Sequence, residues 1–221
     1  MLDFNLCVIT RRVEHLNRGH LDVARAALRG GVRMIQLRDK SLPDRELCEV
    51  AREMKRLAHE SGAVLIVNDR PDITLATGAD GVHLGQEDIP IEAARRILGG
   101  EAVIGASVAD PSEAGEAEEQ GASYVSVGSV FATTSKADAG EPIGIAPIVE
   151  IKRATRLPVI AIGGISLDNV VSVIRGGADG VAVISAVAEA EDMVVAASEL
   201  RRLIAEAHRW AGGQEQSDDT A

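Results

Sequence analysis

Short, almost continuously apolar segments alternate along this chain with longer amphipathic segments rich in Ala, Glu and Arg. Eight apolar segments follow this pattern: Leu6–Thr10, Met34–Arg38, Val64–Asn68, Gly81–Leu84, Val103–Ser107, Tyr124–Gly128, Val159–Gly163 and Gly180–Ser185. Such runs are typical of parallel strands, which are covered on both faces, and the intervening segments are long enough to be crossover helices.

The amphipathic segments carry ordinary helix start and stop signals, such as Asp110–Pro111 before one segment and Gly176–Gly177 after another. The predicted helices include Asp22–Arg29, Pro43–Glu60, Pro90–Leu98, Asp110–Glu119, Ala146–Ala154, Leu167–Arg175 and Asp192–His208, and we expect a short helix after Ile184–Ala186. Eight strand-then-helix units favour an α/β fold of the (β/α)8 TIM-barrel type over a doubly wound sheet. We expect one barrel domain over residues 1–210 and a disordered acidic tail over residues 211–221.

Composition and charge exclude several classes of function. The chain has 221 residues, a formal net charge of −11 and only 2% aromatic residues, which argues against nucleic-acid binding. No apolar stretch reaches the ~18 residues that indicate a membrane span. Cys7 and Cys48 lie in separate predicted elements, so we expect no disulfide framework and a cytoplasmic protein. A monomer and a homo-oligomer are both compatible with the pattern.

In a barrel of this type, polar residues just past each strand are the first candidates for function. The second strand runs into Gln36–Lys40, where period-two alternation sends Gln36, Arg38 and Lys40 to one side. Two neighbouring cations indicate an anionic ligand, although a solvated pair with Asp39 as a surface partner is the alternative.

Two aspartates follow neighbouring strands, Asp69 after the third and Asp88 after the fourth. Together they could share one Mg²⁺, which one or two carboxylates hold with water and substrate phosphate. Taken singly, each aspartate is more often a helix cap or a turn residue. His83 lies inside the fourth strand, and we interpret it as a core histidine without a catalytic role.

The loop after the sixth strand is unusual because Thr133, Thr134, Ser135 and Lys136 follow one another. Three hydroxyls and a lysine can donate to phosphate oxygens, and the loop is long enough to be a mobile cover; an exposed polar linker is the alternative. Glycines after the seventh strand and Ile184–Ser185 after the eighth match a common barrel phosphate site. Two anion sites predict two phosphorylated substrates.

Seven motifs in order resemble the thiamine-phosphate synthase family. They are Gln36-Leu37-Arg38-Asp39-Lys40, Asn68-Asp69, His83-Leu84-Gly85-Gln86 with Asp88, Gly105-Ala106-Ser107, Thr133-Thr134-Ser135-Lys136, Gly163-Gly164-Ile165 and Ile184-Ser185. The resemblance implies a (β/α)8 barrel that condenses 4-amino-2-methyl-5-(diphosphooxymethyl)pyrimidine with 4-methyl-5-(2-phosphoethyl)thiazole, or its carboxylated form. The implied products are thiamine phosphate and diphosphate.

The resemblance also implies a role for each matching residue. Gln36, Leu37, Arg38, Asp39, Lys40, Asn68, Ser107 and Lys136 would bind the pyrimidine diphosphate, Asp69 and Asp88 would bind Mg²⁺, and Thr133, Thr134, Ser135, Gly164, Ile184 and Ser185 would hold the thiazole phosphate. Arg38, Lys40, Lys136 and Ser107 would be catalytic in a dissociative mechanism. The loop departs from the family's usual Thr-x-Thr-Lys because Ser135 replaces the second threonine, which keeps the hydroxyl.

Two other functions use the same barrel. A thiazole tautomerase-like isomerase binds the thiazole without a metal or a diphosphate, and a non-catalytic sensor would bind thiazole phosphate without turnover. The tautomerase would not need Arg38, Lys40, Asp69, Asp88 and Lys136 together, so we expect the synthase. The sensor differs from the synthase because Mg²⁺ would have little effect on its affinity for diphosphate.

Overall fold

Eight parallel strands pair in chain order and close into a barrel in the computed structural model. The structure describes residues 2–135 and 140–218, with side chains described as far as residue 210. The strands are β1 Leu6–Thr10, β2 Met34–Leu37, β3 Val64–Asn68, β4 Gly81–Leu84, β5 Val103–Val108, β6 Tyr124–Val127, β7 Val159–Ile162 and β8 Gly180–Val183. The predicted (β/α)8 barrel is confirmed, and each strand end lies within two residues of its predicted position.

Helices follow the strands around the outside of the barrel. They are α1 His20–Arg29, α2 Asp44–Glu60, α3 Pro71–Thr77, α4 Ile91–Leu98, α5 Pro111–Glu119, α6 Ala146–Ala154, α7 Val170–Arg175, α8 Ser185–Ala188 and α9 Met193–Asp218. Helix α9 continues past Ala211, where we predicted the start of a disordered tail, and residues 219–221 lie outside the described chain. The division of the chain at residue 210 stays a prediction. Of the described helices, none has the length and apolar character to cross a bilayer.

The strands are apolar on both faces because each face packs against a different layer. In β2, Ile35 and Leu37 point outward into the main core beneath the helices, whereas Met34 points into the barrel. The barrel interior is filled by side chains from alternate positions, including Cys7, Met34 and the ring of Tyr124. This packing fills the lower barrel and leaves the carboxyl ends of the strands for the site.

Two aspartate clasps, which we define as Asp80 with Lys55 and Asp179 with Lys152, hold the amino-terminal end of the barrel. Asp80 accepts a hydrogen bond from the backbone of Leu65 at 2.8 Å and pairs with Lys55. Asp179 repeats this arrangement, with a 2.7 Å bond from the backbone of β7 and a 2.6 Å ion pair to Lys152. Both aspartates stand in the repeated sequence Gly-Ala-Asp-Gly-Val, so the sequence repeat has a structural purpose.

Gly180 opens β8 where another chain segment passes too closely for a side chain. A Cβ at Gly180 would lie 1.9 Å from the carbonyl oxygen of Phe4, which belongs to backbone that leads into β1. We expect Gly180→Ala to lower the free energy of unfolding by about 2 kcal/mol, because neither strand can move without breaking the β1–β8 pairing. Gly100→Ala is the matched control, since a Cβ there has no neighbour within 4 Å, and we expect a change below about 0.5 kcal/mol. Chemical denaturation measures both variants, and equal losses in the free energy of unfolding for Gly180→Ala and Gly100→Ala would contradict the prediction.

Candidate active site

An open cavity of about 510 Å³ lies at the carboxyl ends of the strands. Residues from the ends of strands β3 to β8, and from the loops after β2 to β8, line it. The predicted site residues among them are Arg38, Lys40, Asn68, Asp69, Asp88, Ser107, Thr133, Ser135, Gly164, Ile184 and Ser185. Residues that are far apart in the chain therefore meet around one space large enough for two small phosphorylated molecules.

The remaining predicted residues do not line this cavity. Gln36 is buried below it in the barrel, and Leu37 is buried on the opposite side of β2 against the helices. The side chain of Asp39 also faces away, and Thr134 is exposed. Lys136 lies outside the described residues. Alternation along β2 accounts for Leu37 and Asp39, which point away from the side that Gln36 and Arg38 share, and Gln36 lies deeper in the barrel than Arg38.

Asp39 is the acceptor for a group of donors at the end of β2. One carboxylate oxygen accepts from the backbone N–H and the hydroxyl of Ser41, at 2.8 and 2.7 Å, and from the backbone of Leu42 at 3.0 Å. The other oxygen accepts from Arg12 at 2.9 Å and lies 3.0 Å from Nε2 of His20. This side chain is only 7% exposed, so it fixes the loop that carries Lys40 instead of facing the cavity.

Asp69 and Asp88 form an acidic pair on the cavity wall. The pairing of β3 with β4 continues past the strand ends, where the Asp69 backbone N–H donates to the carbonyl of His83 at 2.8 Å. Burial and a hydrogen bond with Asp88 raise the pKa of Asp69 to about 6, while Lys40 and Arg38 oppose this shift. Lys40 Nζ lies 3.6 Å from the Asp69 carboxylate. The cations predicted from β2 thus stand beside the predicted metal ligands.

The opposite wall consists of hydroxyls and backbone. Ser135 Oγ lies 3.2 Å from Ser185 Oγ, and the Ser135 backbone donates to the Thr133 hydroxyl at 3.2 Å. Gly164 has a φ of +62°, and a Cβ there would lie 2.6 Å from the carbonyl oxygen of Ala132. The loops after β6, β7 and β8 therefore pack closely together, which places backbone groups at this wall within reach of a ligand.

The structure adds His83 and Ser126 to the cavity lining. His83 is 7% exposed and contacts two partners, with Nε2 3.0 Å from Ser107 Oγ and Nδ1 3.0 Å from Tyr124 Oη. These bonds agree with its interpretation as a core histidine with both ring nitrogens hydrogen-bonded, but they also connect it to a predicted site residue. Period-two alternation along β6 could have indicated Ser126, which shares the inward side with Tyr124.

Comparisons with known proteins agree with this architecture. The family model described as thiamine monophosphate synthase matches residues 6–187. The chain is 52% identical over 200 residues to a thiamine-phosphate synthase of Roseiflexus sp. (strain RS-1), covering 90% of this chain and 85% of the relative. It is 51% identical over 187 residues to the Moorella thermoacetica thiamine-phosphate synthase, covering 85% and 89%. A solved thiamine phosphate pyrophosphorylase from Pyrococcus furiosus superposes with a TM-score of 0.84 at 44% identity, covering 93% of this chain and 97% of that one.

Proposed function

The chain belongs to the thiamine monophosphate synthase family, and from this premise we propose how its cavity performs the family's reaction. The protein is a transferase of thiamine biosynthesis that condenses a pyrimidine phosphate with a thiazole phosphate. We propose that the pyrimidine carries a diphosphate, which is released as thiamine phosphate forms. The thiazole is 4-methyl-5-(2-phosphoethyl)thiazole or its carboxylated form.

The observation that supports this proposal best is the contrast between the two walls of the cavity. One wall combines Arg38 and Lys40 with the acidic pair, and the other offers the hydroxyls of Thr133 and Ser135 with a glycine-rich backbone. A diphosphate needs the stronger cationic wall because it leaves with a growing negative charge. The phosphate of the thiazole takes no part in bond breaking, so neutral donors are enough for it.

We propose that the metal of this site is Mg²⁺, held by Asp69 and Asp88. Membership of the family is consistent with a metal cofactor. The two carboxylates are hydrogen-bonded to each other, and a divalent cation would replace the proton that this contact favours. Across the described residues, no cluster of three or more Asp, Glu, His and Cys side chains could surround a metal, so substrate and water oxygens would complete its coordination. When bound, Mg²⁺ neutralises negative charge on the diphosphate.

The protein's own residues stabilise the departing group. Arg38 and Lys40 supply positive charge beside the acidic pair, and Asn68 and Ser107 supply neutral donors. We propose the same leaving-group role for Lys136, which lies outside the described residues. The bond from the pyrimidine methylene to the diphosphate oxygen breaks first, and the thiazole nitrogen then attacks the resulting cation. This order requires no nucleophile from the protein.

The second substrate is positioned by the opposite wall. We propose that Thr133, Thr134 and Ser135 contact the thiazole phosphate with Gly164, Ile184 and Ser185. The contact between Ser135 and Ser185 supports this, because it brings the loops after β6 and β8 to the same point. Leu37 and Asp39 contribute to the pyrimidine diphosphate site indirectly, because they anchor the loop that carries Lys40.

We further propose that the protein acts in the cytoplasm on small phosphorylated molecules and does not bind nucleic acid. Neither Cys7 nor Cys48 forms a disulfide, which suits a reducing compartment. The net charge of −11 disfavours binding to a phosphate backbone.

Product formation from the two substrates, followed by chromatography, tests the proposed reaction. We expect thiamine phosphate and diphosphate in equal amounts with Mg²⁺, and loss of both with excess chelator that fresh Mg²⁺ restores. Turnover that is unaffected by the chelator would contradict the metal assignment. Binding of thiazole phosphate without any product would favour a sensor, and isomerisation of a thiazole alone would favour the tautomerase.

A further inference from the structure

A chain of four hydrogen-bonded side chains runs from the cavity into the barrel. Ser107 bonds to His83 at 3.0 Å, and His83 bonds to the Tyr124 hydroxyl, also at 3.0 Å. The Tyr124 hydroxyl in turn bonds to the side-chain amide of Gln36. His83 and Tyr124 also stack, with ring centroids 5.6 Å apart. His83, Tyr124 and Gln36 are each less than 10% exposed, so bulk water does not compete for these bonds.

The direction of each bond follows from the amide of Gln36. Its Oε1 is buried without a hydrogen-bond partner, so Nε2 is the group that donates to Tyr124. The buried Tyr124 hydroxyl hydrogen is then satisfied when it points to Nδ1 of His83, so Nδ1 is the acceptor in this bond. In the neutral imidazole, the ring hydrogen is consequently on Nε2 and points to the Ser107 oxygen. The hydrogen of the Ser107 hydroxyl is left for the cavity.

We propose that His83 and Tyr124 are positioning residues that form a one-way relay, which keeps Ser107 a hydrogen-bond donor toward the diphosphate. This proposal rests on the proposed function. A diphosphate oxygen has no hydrogen to donate and can only accept a hydrogen bond. In a relay of the opposite direction Ser107 would donate its hydrogen to His83, and only an oxygen lone pair would face the diphosphate.

The tautomer of His83 tests the relay without an activity assay. We expect ¹⁵N NMR of the whole protein to show His83 protonated on Nε2 and unprotonated on Nδ1. Comparison with His83→Gln assigns the signal among the five histidines. Protonation on Nδ1 with a bare Nε2 would overturn the proposal, because Ser107 would then donate to His83 and not to the substrate. This measurement remains informative even if the protein proves to catalyse another reaction.

Kinetics of Tyr124→Phe and Ser107→Ala, alone and together, test what the relay does. Phenylalanine keeps the ring packed against Phe4 and above Gly105 while it removes the hydroxyl. We expect turnover to fall about a hundredfold in Ser107→Ala and about tenfold in Tyr124→Phe, with an unchanged KM for the thiazole phosphate. In the Ser107→Ala background, Tyr124→Phe should cost less than about twofold, since the relay then has no donor to orient.

Ser126→Ala provides the matched control for coupling. Ser126 lies on the same inward face of β6, is also buried and pairs in register with Ser107, yet it is not part of the relay. We expect the double variant Ser126→Ala with Ser107→Ala to lose turnover by the product of the two factors that the single variants show. Independent, multiplicative effects of Tyr124→Phe and Ser107→Ala would overturn the relay. A wild-type protein that forms no product would instead reject the proposed function, and the NMR result would still decide the direction of the relay.

Discussion

Turnover is expected to fall about a hundredfold or more when Asp69 is replaced by asparagine. The substitution removes one negative charge from the acidic pair and so weakens the site for Mg²⁺, while the shape of the side chain is kept. Asparagine also tolerates the left-handed backbone of this residue, which has a φ of +62°. Because a close pair of carboxylates is relieved, the free energy of unfolding should stay the same or rise. Turnover measured over a range of Mg²⁺ concentrations, with a thermal melt, checks both parts.

Asp72→Asn is the matched control for this experiment. Asp72 lies three residues further along, at the start of α3, and its exposed carboxylate pairs with Arg70 outside the cavity lining. We expect its turnover and its Mg²⁺ requirement to match those of the wild type. An Asp69→Asn protein with wild-type turnover and an unchanged metal requirement would remove Asp69 from the proposed metal site.

Asp39→Asn is expected to lower the free energy of unfolding by about 3 kcal/mol, with an unchanged KM for the thiazole phosphate and at most a severalfold rise in the KM of the pyrimidine diphosphate, whose loop Asp39 anchors. An amide has one acceptor oxygen where the carboxylate has two, so it cannot serve the donors of Ser41, Leu42, Arg12 and His20 together. Chemical denaturation measures the loss of stability, and steady-state kinetics measures KM. A stable variant with a strongly raised KM would show that Asp39 contacts substrate directly.

The pH dependence of the Asp39 contribution provides a second check. Burial alone would raise the pKa of Asp39, but hydrogen bonds from Ser41, His20 and Leu42 hold it well below its usual range. The stabilisation is therefore complete above the unfolded-state pKa of about 3.9 and is lost as the pH falls below it. The difference between wild type and Asp39→Asn should shrink on acidification through this window. Glu53→Gln, which alters an exposed ion pair on α2, should change the free energy of unfolding far less than Asp39→Asn does.

The strands of this fold were predictable because their signal is local. Each strand is covered on both faces, so nearly every position in it is apolar, and a turn residue marks its end. Eight strand-then-helix units imply a helix after the third strand, but the sequence did not give its bounds. The helix found there, α3 Pro71–Thr77, has only seven residues, too few for a clear helical period, and contains two threonines. The extension of α9 beyond Ala211 was missed for a related reason, since its glycines and polar residues resemble a tail.

The candidate site was predictable where strand order decides the contacts. Asp69 and Asp88 meet because β3 and β4 are neighbours, and this order follows from the barrel itself. The surroundings of Asp39 were not predictable, because His20 belongs to α1 and reaches Asp39 only through packing that no local pattern encodes. The relay through His83 was not predictable for the same reason, because it joins side chains from four different strands, β2, β4, β5 and β6.

The two aspartate clasps separate the parts of the barrel that evolution can change from those it must keep. Asp80 and Asp179 hold the strands at the amino-terminal end, and the cavity lies at the carboxyl end. A lineage can therefore exchange the polar residues around the cavity, and with them the chemistry, while the closure of the barrel is secured elsewhere. Selection for a new substrate would act on the carboxyl-terminal rim of the barrel. Selection for a folded chain would act on the amino-terminal rim.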